Sequence, residues 1–365
     1  MSTSTVSKRI RVGIIGASPS WGWATHAHLP ALKTLPSYEI TAVSTTKQES
    51  AAETARRFDV PHAFGSSAPL IEHPEVDLVV VSVRAPEHAP LVRAAIAAKK
   101  HVLCEWPLGV STAETIELAS LAEKAGVRTA IGLQRRLAPG VRYLRDLIHE
   151  GYIGKVRSVS LRISVPFLGA TRPRAYAYTA DVNNGVNALH TVGAHFLDTA
   201  LAAVGDIASI SAVIARQFDT TTIIESGEAI PVTAPDQVVL SGTLANGAVL
   251  AAHFEAGKRN GSEITCTITG TEGDLLLSAD LTVSGAQGDG NPLTPLPTPE
   301  GYFWSTKGTL SDDAHQMGEL YAAFARDLAE GTKLAPTFAD AESFHRLLAT
   351  IEEASATGQR RNWKG

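Results

Sequence analysis

Short Val- and Ile-rich runs that do not alternate with polar residues constrain this chain most. They lie at Arg11–Ile15, Ile40–Ser44, Leu78–Val83, His101–Cys104 and Arg128–Gly132. Between them are stretches with apolar residues at helical spacing, Glu49–Phe58, Pro90–Ala98 and Ala113–Ala125. A strand apolar at every position is buried on both faces, and a parallel sheet covered by helices on either side does this. Residues 1–136 are therefore expected to form a doubly wound parallel α/β domain.

The texture changes near residue 150. Longer, alternating strands are expected at Lys155–Val165, Ser209–Arg216, Gln237–Leu244, Ala248–Glu255 and Glu263–Thr269. Turn signals separate them at Ala245-Asn246-Gly247 and Thr271-Glu272-Gly273. Residues 137–365 are read as an α+β domain with a large, mostly antiparallel open sheet. A helix at Asn187–Ala203 covers one face. The Gly- and Pro-rich stretch Gly285–Gly301 is expected to be a loop. Asp312–Ala356 is helical, and these last helices are expected to be able to pack back on the first domain.

Composition excludes some function classes. With 365 residues, 44% hydrophobic, 19% charged and a net charge of −5, there is no electrostatic case for nucleic-acid or membrane binding. Cys104 and Cys266 are far apart, which argues against a disulfide framework and a thiolate metal site. Met1–Arg11 is polar and lacks an apolar signal-peptide core, so a cytoplasmic location is expected.

The first strand runs into Gly16-Ala17-Ser18-Pro19-Ser20-Trp21-Gly22-Trp23. A glycine turn between strand and helix lets backbone amides approach a pyrophosphate, with the helix N-terminus facing its charge. Gly16, Ser18, Trp21, Gly22 and Trp23 are cofactor-binding candidates. Ser18 stands where the usual pattern has its second glycine, so an ordinary turn is the alternative. The second strand ends Ser44-Thr45-Thr46-Lys47, without the acidic residue that holds the ribose hydroxyls of NAD. Hydroxyls followed by Lys47 suit a 2′-phosphate. NADP is the expected cofactor, NAD the alternative, and a solvated loop lysine the plain reading of Lys47.

Further motifs run in order through the chain: Val76-Asp77-Leu78-Val79, His88, Lys100–Leu108 containing Glu105-Trp106-Pro107, Gln134-Arg135-Arg136, Leu147–Val156, Gly193–Asp198 and Gly270–Gly273. In these the chain resembles the glucose–fructose oxidoreductase/inositol dehydrogenase (Gfo/Idh/MocA) family. The resemblance implies a Rossmann domain followed by an open-sheet α/β domain whose exposed face often forms the subunit contact, hence a homodimer or homotetramer. It also implies His88, Glu105, Pro107, Gln134 and Arg135 at the cofactor, with Pro107 in a cis peptide.

Members of that family typically use a lysine in Glu-Lys-Pro and an Asp and His four residues apart on a helix. Here the lysine position holds Trp106 and the aspartate position holds Thr191, while His195 remains. Indole donates a hydrogen bond but accepts none, and threonine is neutral. The galactose-regulon repressor-like branch of the superfamily, non-catalytic and NADP-binding, is similar in its extended phosphate loop, in Glu105-Trp106 and in Asn184–Asn187. Two functions follow: an NADP-preferring dehydrogenase or reductase of a sugar or polyol, or an NADP-sensing regulator. His195 is the catalytic candidate, a general base toward a hydroxyl. Trp106, Thr191, His190 and Tyr178 are substrate-binding candidates, with the Trp106 ring available to stack on a pyranose. His26, His28 and His190 lack ligand spacing with paired carboxylates, so no metal is expected.

Overall fold

The structure, a computed structural model, describes residues 9–365. Residues 1–8 of the polar N-terminal stretch, with the expectation attached to them, lie outside the described residues. In chain order the elements begin with β1 (Ile10–Ile15), α1 (Leu29–Lys33), β2 (Tyr38–Ser44), α2 (Gln48–Phe58), β3 (His62–Phe64), α3 (Ser67–Glu72) and β4 (Leu78–Val81). Next come α4 (His88–Ala97), β5 (His101–Cys104), α5 (Thr112–Ala125), β6 (Thr129–Ile131), α6 (Pro139–His149), β7 (Val156–Val165), β8 (Thr171–Arg172) and α7 (Ala194–Val204). The strands β9 (Ile207–Ala215), β10 (Thr220–Ile223), β11 (Ala229–Pro231), β12 (Gln237–Leu244), β13 (Val249–Ala256) and β14 (Glu263–Gly270) follow. The chain closes with β15 (Gly273–Ser278), β16 (Val283–Gln287), β17 (Thr294–Leu296), α8 (Asp312–Glu330), α9 (Phe338–Thr357) and β18 (Arg361–Asn362).

The chain packs as two compact units. The first takes in the chain through Gly109, Ala113–Gln134 and Phe303–Ala341, and the second Val110–Thr112, Arg135–Tyr302 and Glu342–Gly365. The division expected from sequence, 1–136 and 137–365, is contiguous; the observed units are not, because Phe303–Ala341 belongs with the first.

In the first unit a six-stranded parallel sheet has the order β3-β2-β1-β4-β5-β6. Val12, Ile14, Leu78, Val79, Val80, Val81, Val102 and Leu103 are fully buried, as unbroken apolar strands require. The order reverses between β1 and β4, where open α/β sheets bind ligands. β3 has no counterpart in the sequence reading.

The second unit is built on a nine-stranded sheet, ordered β17-β16-β15-β14-β7-β13-β12-β9-β18. Only β7 and β13 pair in parallel; its other neighbours are antiparallel. β12 alternates strictly, with Val238, Leu240 and Leu244 buried and Val239 and Ser241 exposed. A small three-stranded sheet, β11-β10-β8, was not foreseen.

One expectation is corrected. Gly285–Gly301 is not a loop throughout: it includes the end of β16 and the whole of β17. β17 pairs only with β16, at the sheet edge, where Pro295 and its missing N–H are tolerated.

Candidate functional site

At the carboxyl end of β1 the phosphate loop is held from both sides. The Gly16 and Ala17 amides donate to Ser44 O at 2.9 and 3.1 Å. From α2, Thr54 Oγ1 donates to Ala17 O at 2.7 Å and Arg57 Nη1 to Pro19 O at 2.8 Å. Gly16 has φ +92°, and a Cβ there would lie 2.1 Å from Ser82 O. Gly22, with φ +130°, has only Gly16 O within reach, at 3.9 Å, so the loop is open at that point. Trp23 begins the helical segment, a π-turn at Ala24–His28 continuing into α1. Ser18 is half-buried and Trp21 exposed.

Several side-chain atoms at this edge are buried without a hydrogen-bond partner among the described residues, among them Trp23 Nε1, Ser44 Oγ, Ser82 Oγ and Gln134 Oε1. Buried polar atoms are nearly always paired, so such a group marks a site completed by something else. Ser44 ends β2 and Ser82 directly follows β4, the strands flanking β1. Next to Ser44, Thr45 Oγ1 is committed to the loop, donating to Lys47 O at 2.8 Å and lying 2.6 Å from Ser50 Oγ. Thr46 and Lys47 are exposed, and Lys47 immediately precedes α2. A dinucleotide fits this donor set: open glycine turn, helix start, unpaired hydroxyls and a free-standing lysine.

Glu105, at the end of β5, is positioned by residues that sequence reading did not connect. His28 Nε2 lies 2.9 Å from Glu105 Oε1, although the alignment falls short of a good hydrogen bond. His28 Nδ1 is 2.7 Å from the Tyr321 hydroxyl. Tyr321 comes from α8 and is fully buried. Gly132 leaves the carboxylate its room, since a Cβ there would lie 2.7 Å from Glu105 Oε2. Trp106 is buried, and the Trp106–Pro107 peptide is cis as expected. His88 is buried between two carbonyls, Nδ1 2.8 Å from Pro107 O and Nε2 3.1 Å from Val83 O. Burial lowers its pKa. The ring thus braces the chain following β4 against that following β5.

In the second unit the expected helix at Asn187–Ala203 has two parts. Asn187 caps it, its Oδ1 accepting from Leu189 N and His190 N at 2.9 and 3.0 Å. Ala188–Gly193 is a π-turn, and α7 continues from it. A π-turn holds one residue more than an α-turn. Counting four back from His195 therefore singles out no one position, and His190 as well as Thr191 lies a turn away.

His195 Nδ1 and Thr191 Oγ1 are buried without a hydrogen-bond partner among the described residues. Burial, with the Arg135 guanidinium adding to it, pulls the His195 pKa down to about 4. Arg135 stacks over Phe196, its Cζ 4.5 Å from the ring centre. His190 Nδ1 accepts from Asn187 Nδ2 at 3.1 Å, and burial brings its pKa to about 4. Tyr178 is half-buried, its carbonyl accepting from Asn184 Nδ2 at 2.6 Å. Asp198 supports the helix, accepting from Arg136 Nε at 2.9 Å.

The fold and the orphaned polar atoms at its switch point fit a dinucleotide-binding protein of the oxidoreductase type. Residues 10–133 match the family described as "Oxidoreductase family, NAD-binding Rossmann fold", and residues 139–279 match "Gal80p, C-terminal domain". The two matches follow one another along the chain, and in them the chain is similar to the Gfo/Idh/MocA family near its Gal80-like branch.

It is 29% identical over 301 residues to the galactose/lactose metabolism regulatory protein GAL80 of Kluyveromyces lactis, covering 77% of this chain and 66% of that protein. The match thus spans just under two thirds of the relative's length. Dehydrogenase aclE of Aspergillus oryzae is 34% identical over 228 residues, covering 60% of this chain and 62% of that protein. Levoglucosan dehydrogenase of Pseudarthrobacter phenanthrenivorans is 25% identical over 393 aligned positions, covering 96% of this chain and 97% of its own. Two solved structures share the fold. The super-repressor mutant of Gal80p from Saccharomyces cerevisiae has a TM-score of 0.86 at 24% identity, covering 97% of each chain. Levoglucosan dehydrogenase in complex with NADH and levoglucosan has a TM-score of 0.84 at 22% identity, covering 98% of this chain and 100% of that one. Among the described residues no helix is long and apolar enough to cross a membrane.

Proposed function

We propose that the protein is an NADP-preferring oxidoreductase that acts on a CH–OH group of a sugar or polyol, or on its keto form. The observation that carries this reading is the set of buried, unpartnered polar atoms: Trp23 Nε1, Ser44 Oγ, Ser82 Oγ and Gln134 Oε1 in the first unit, Thr191 Oγ1 and His195 Nδ1 in the second. Gly16, Ser18, Trp21, Gly22 and Trp23 hold the pyrophosphate, Ser44 to Lys47 the 2′-phosphate, and Glu105, Pro107, His88, Gln134 and Arg135 complete the cofactor side. A dinucleotide held by these residues would supply hydride-transfer chemistry at the carbinol carbon. His195, neutral at pH 7, accepts the hydroxyl proton at Nδ1 during oxidation and returns it during reduction. Thr191, His190 and Tyr178 orient the hydroxyls, and Trp106 offers its ring to the apolar face of the sugar.

Lys47→Ala is expected to weaken NADP about tenfold, equivalent to about 1.4 kcal/mol, and to leave NAD unchanged. Fluorescence titration with both dinucleotides checks this, and equal losses for the two would remove Lys47 as the selectivity residue.

A second reading is favoured by one specific feature. Trp106 stands where the family carries its lysine, neither residue a turn before His195, His190 or Thr191, is an aspartate, and GAL80 relatives are named as regulators. In that reading the protein binds NADP and a sugar-like ligand and signals to a partner protein. A panel of sugars, polyols and sugar acids, assayed with NADP and NADPH, separates the two. Turnover on any of them supports the enzyme, and NADP binding with no turnover in either direction supports the sensor.

The open face of the nine-stranded sheet supports self-association. Val213, Val239 and Val249 are 62%, 45% and 56% exposed, and Val239 pairs with Val213 on one side and His253 on the other. A sheet face that mixes exposed valines with polar side chains in this way suits a second copy of the chain. Light scattering is expected to give a dimer or tetramer, with Val239→Arg shifting it to monomer.

A further inference from the structure

We propose that His62, His73 and Glu75 form a transition-metal site, of the class that takes Zn²⁺, at the edge of the parallel sheet. His62 opens β3, the edge strand, and His73 and Glu75 lie in the connection from α3 to β4. One ligand atom from each lies within 4.8 Å of the other two. His62 Nε2 is already 2.8 Å from Glu75 Oε2, and the two imidazole centres are 4.3 Å apart. Two imidazole nitrogens and one carboxylate oxygen are the donor set of tetrahedral Zn²⁺, with water in the fourth position, and a poor set for Ca²⁺ or Mg²⁺.

The backbone carrying these ligands is fixed by side chains of its neighbours. Thr41 Oγ1 donates to Glu75 O at 2.7 Å, and Lys100 Nζ to His73 O and Val76 O at 2.9 and 2.7 Å. Glu75 N donates to His73 Nδ1 at 3.2 Å, and Phe64 packs 5.7 Å from the His73 ring. The cations alongside are engaged: Arg11 makes a two-pronged contact with Asp77 at 2.9 and 2.7 Å, and Lys100 rests on carbonyls. The three ligands are half-buried or exposed, so they can rotate onto an ion, which replaces the His62–Glu75 and Glu75 N–His73 hydrogen bonds. Coordination displaces the proton that His62 now shares with Glu75. The ion would staple a three-residue edge strand to the neighbouring connection.

The test uses the full chain, free of any histidine tag and stripped with chelator. Zn²⁺ titrated by calorimetry is expected to bind one equivalent and raise Tm, and Co²⁺ to give the visible absorption of a tetrahedral site. In the His62→Gln/His73→Gln double variant, binding is expected to weaken at least about tenfold, and Zn²⁺ to leave Tm unmoved. The metal-free Tm shows whether that variant folds. Glu75→Gln, which keeps the shape of the site, gives an independent arm with the same loss of affinity. The proposal is overturned if the wild type takes up no Zn²⁺, or if it is indistinguishable from the variants, because the ion then sits elsewhere among the 12 histidines.

Discussion

Replacing Gly16 by alanine is expected to abolish useful dinucleotide binding and to destabilise the first unit. At φ +92° an L-residue is strained, by about 1–3 kcal/mol. Sterics add to that, because the new Cβ would lie 2.1 Å from Ser82 O and 2.7 Å from Val83 Cγ1. The nearer contact is backbone at the end of β4, not a side chain that can swing away. Nor can the loop back off, since its Gly16 and Ala17 amides are bound to Ser44 O and its Ala17 and Pro19 carbonyls to α2. A loop displaced by even an ångström loses its approach to the pyrophosphate; in catalysis a misplacement of that size costs about 10²-fold in rate. Gly22→Ala is the control. It carries the conformational strain of φ +130° without a clash, so it should lower Tm less and weaken binding less. Tm and the dinucleotide Kd, read from quenching of tryptophan fluorescence, check both variants. Unchanged affinity in Gly16→Ala would remove this loop from the cofactor site.

What was legible in the sequence is what is written locally. The run Leu78–Val81 is buried on both faces and says so by its unbroken apolarity, and β12 shows its exposed face through Val239 and Ser241. His62–Phe64 escaped because a three-residue, half-buried strand has no room for a pattern. β17 escaped because Pro295 reads as a breaker until its edge position is known. The candidate site was legible where a strand end carries it, as at Gly16, Ser44 and Glu105. It was not legible where distant chain converges. Tyr321 reaches His28 across 293 positions, and no local spacing announces it. The π-turn at Ala188–Gly193 hid for another reason: the extra residue changes which side chains share a face without changing composition. His62, His73 and Glu75 escaped because they come from separate segments, the strand β3 and the connection before β4, and meet only once the sheet edge is built.

The sharpest division between enzyme and sensor lies at His195. If the protein turns over a sugar or polyol, His195→Ala is expected to lower kcat/KM by about 10²–10⁴, the worth of a positioned general base, while leaving the NADP Kd within error. The affinity is spared because the proton-handling nitrogen, Nδ1, has no hydrogen-bond partner whose loss would disturb the surroundings. The pH profile gives a second signature. His195 is pushed down to about 4, chiefly by burial and further by Arg135. Its neutral form therefore persists as the pH falls through the ordinary histidine range near 6.5, and is lost only near 4. The acid limb of kcat/KM, which reports the free protein, should fall near pH 4. Arg135→Met removes the cation but not the burial, so it should move that limb upward by less than the whole displacement. An acid limb near 6.5 in the wild type, or turnover in His195→Ala equal to wild type, would transfer the proton step to another group, with His190 next to be tested. If no substrate is turned over at all, the same buried imidazole still has a measurable role. As a hydrogen-bonding group toward a bound sugar it should alter ligand affinity on substitution, and a sensor is defined by such a change in binding without any change in redox state.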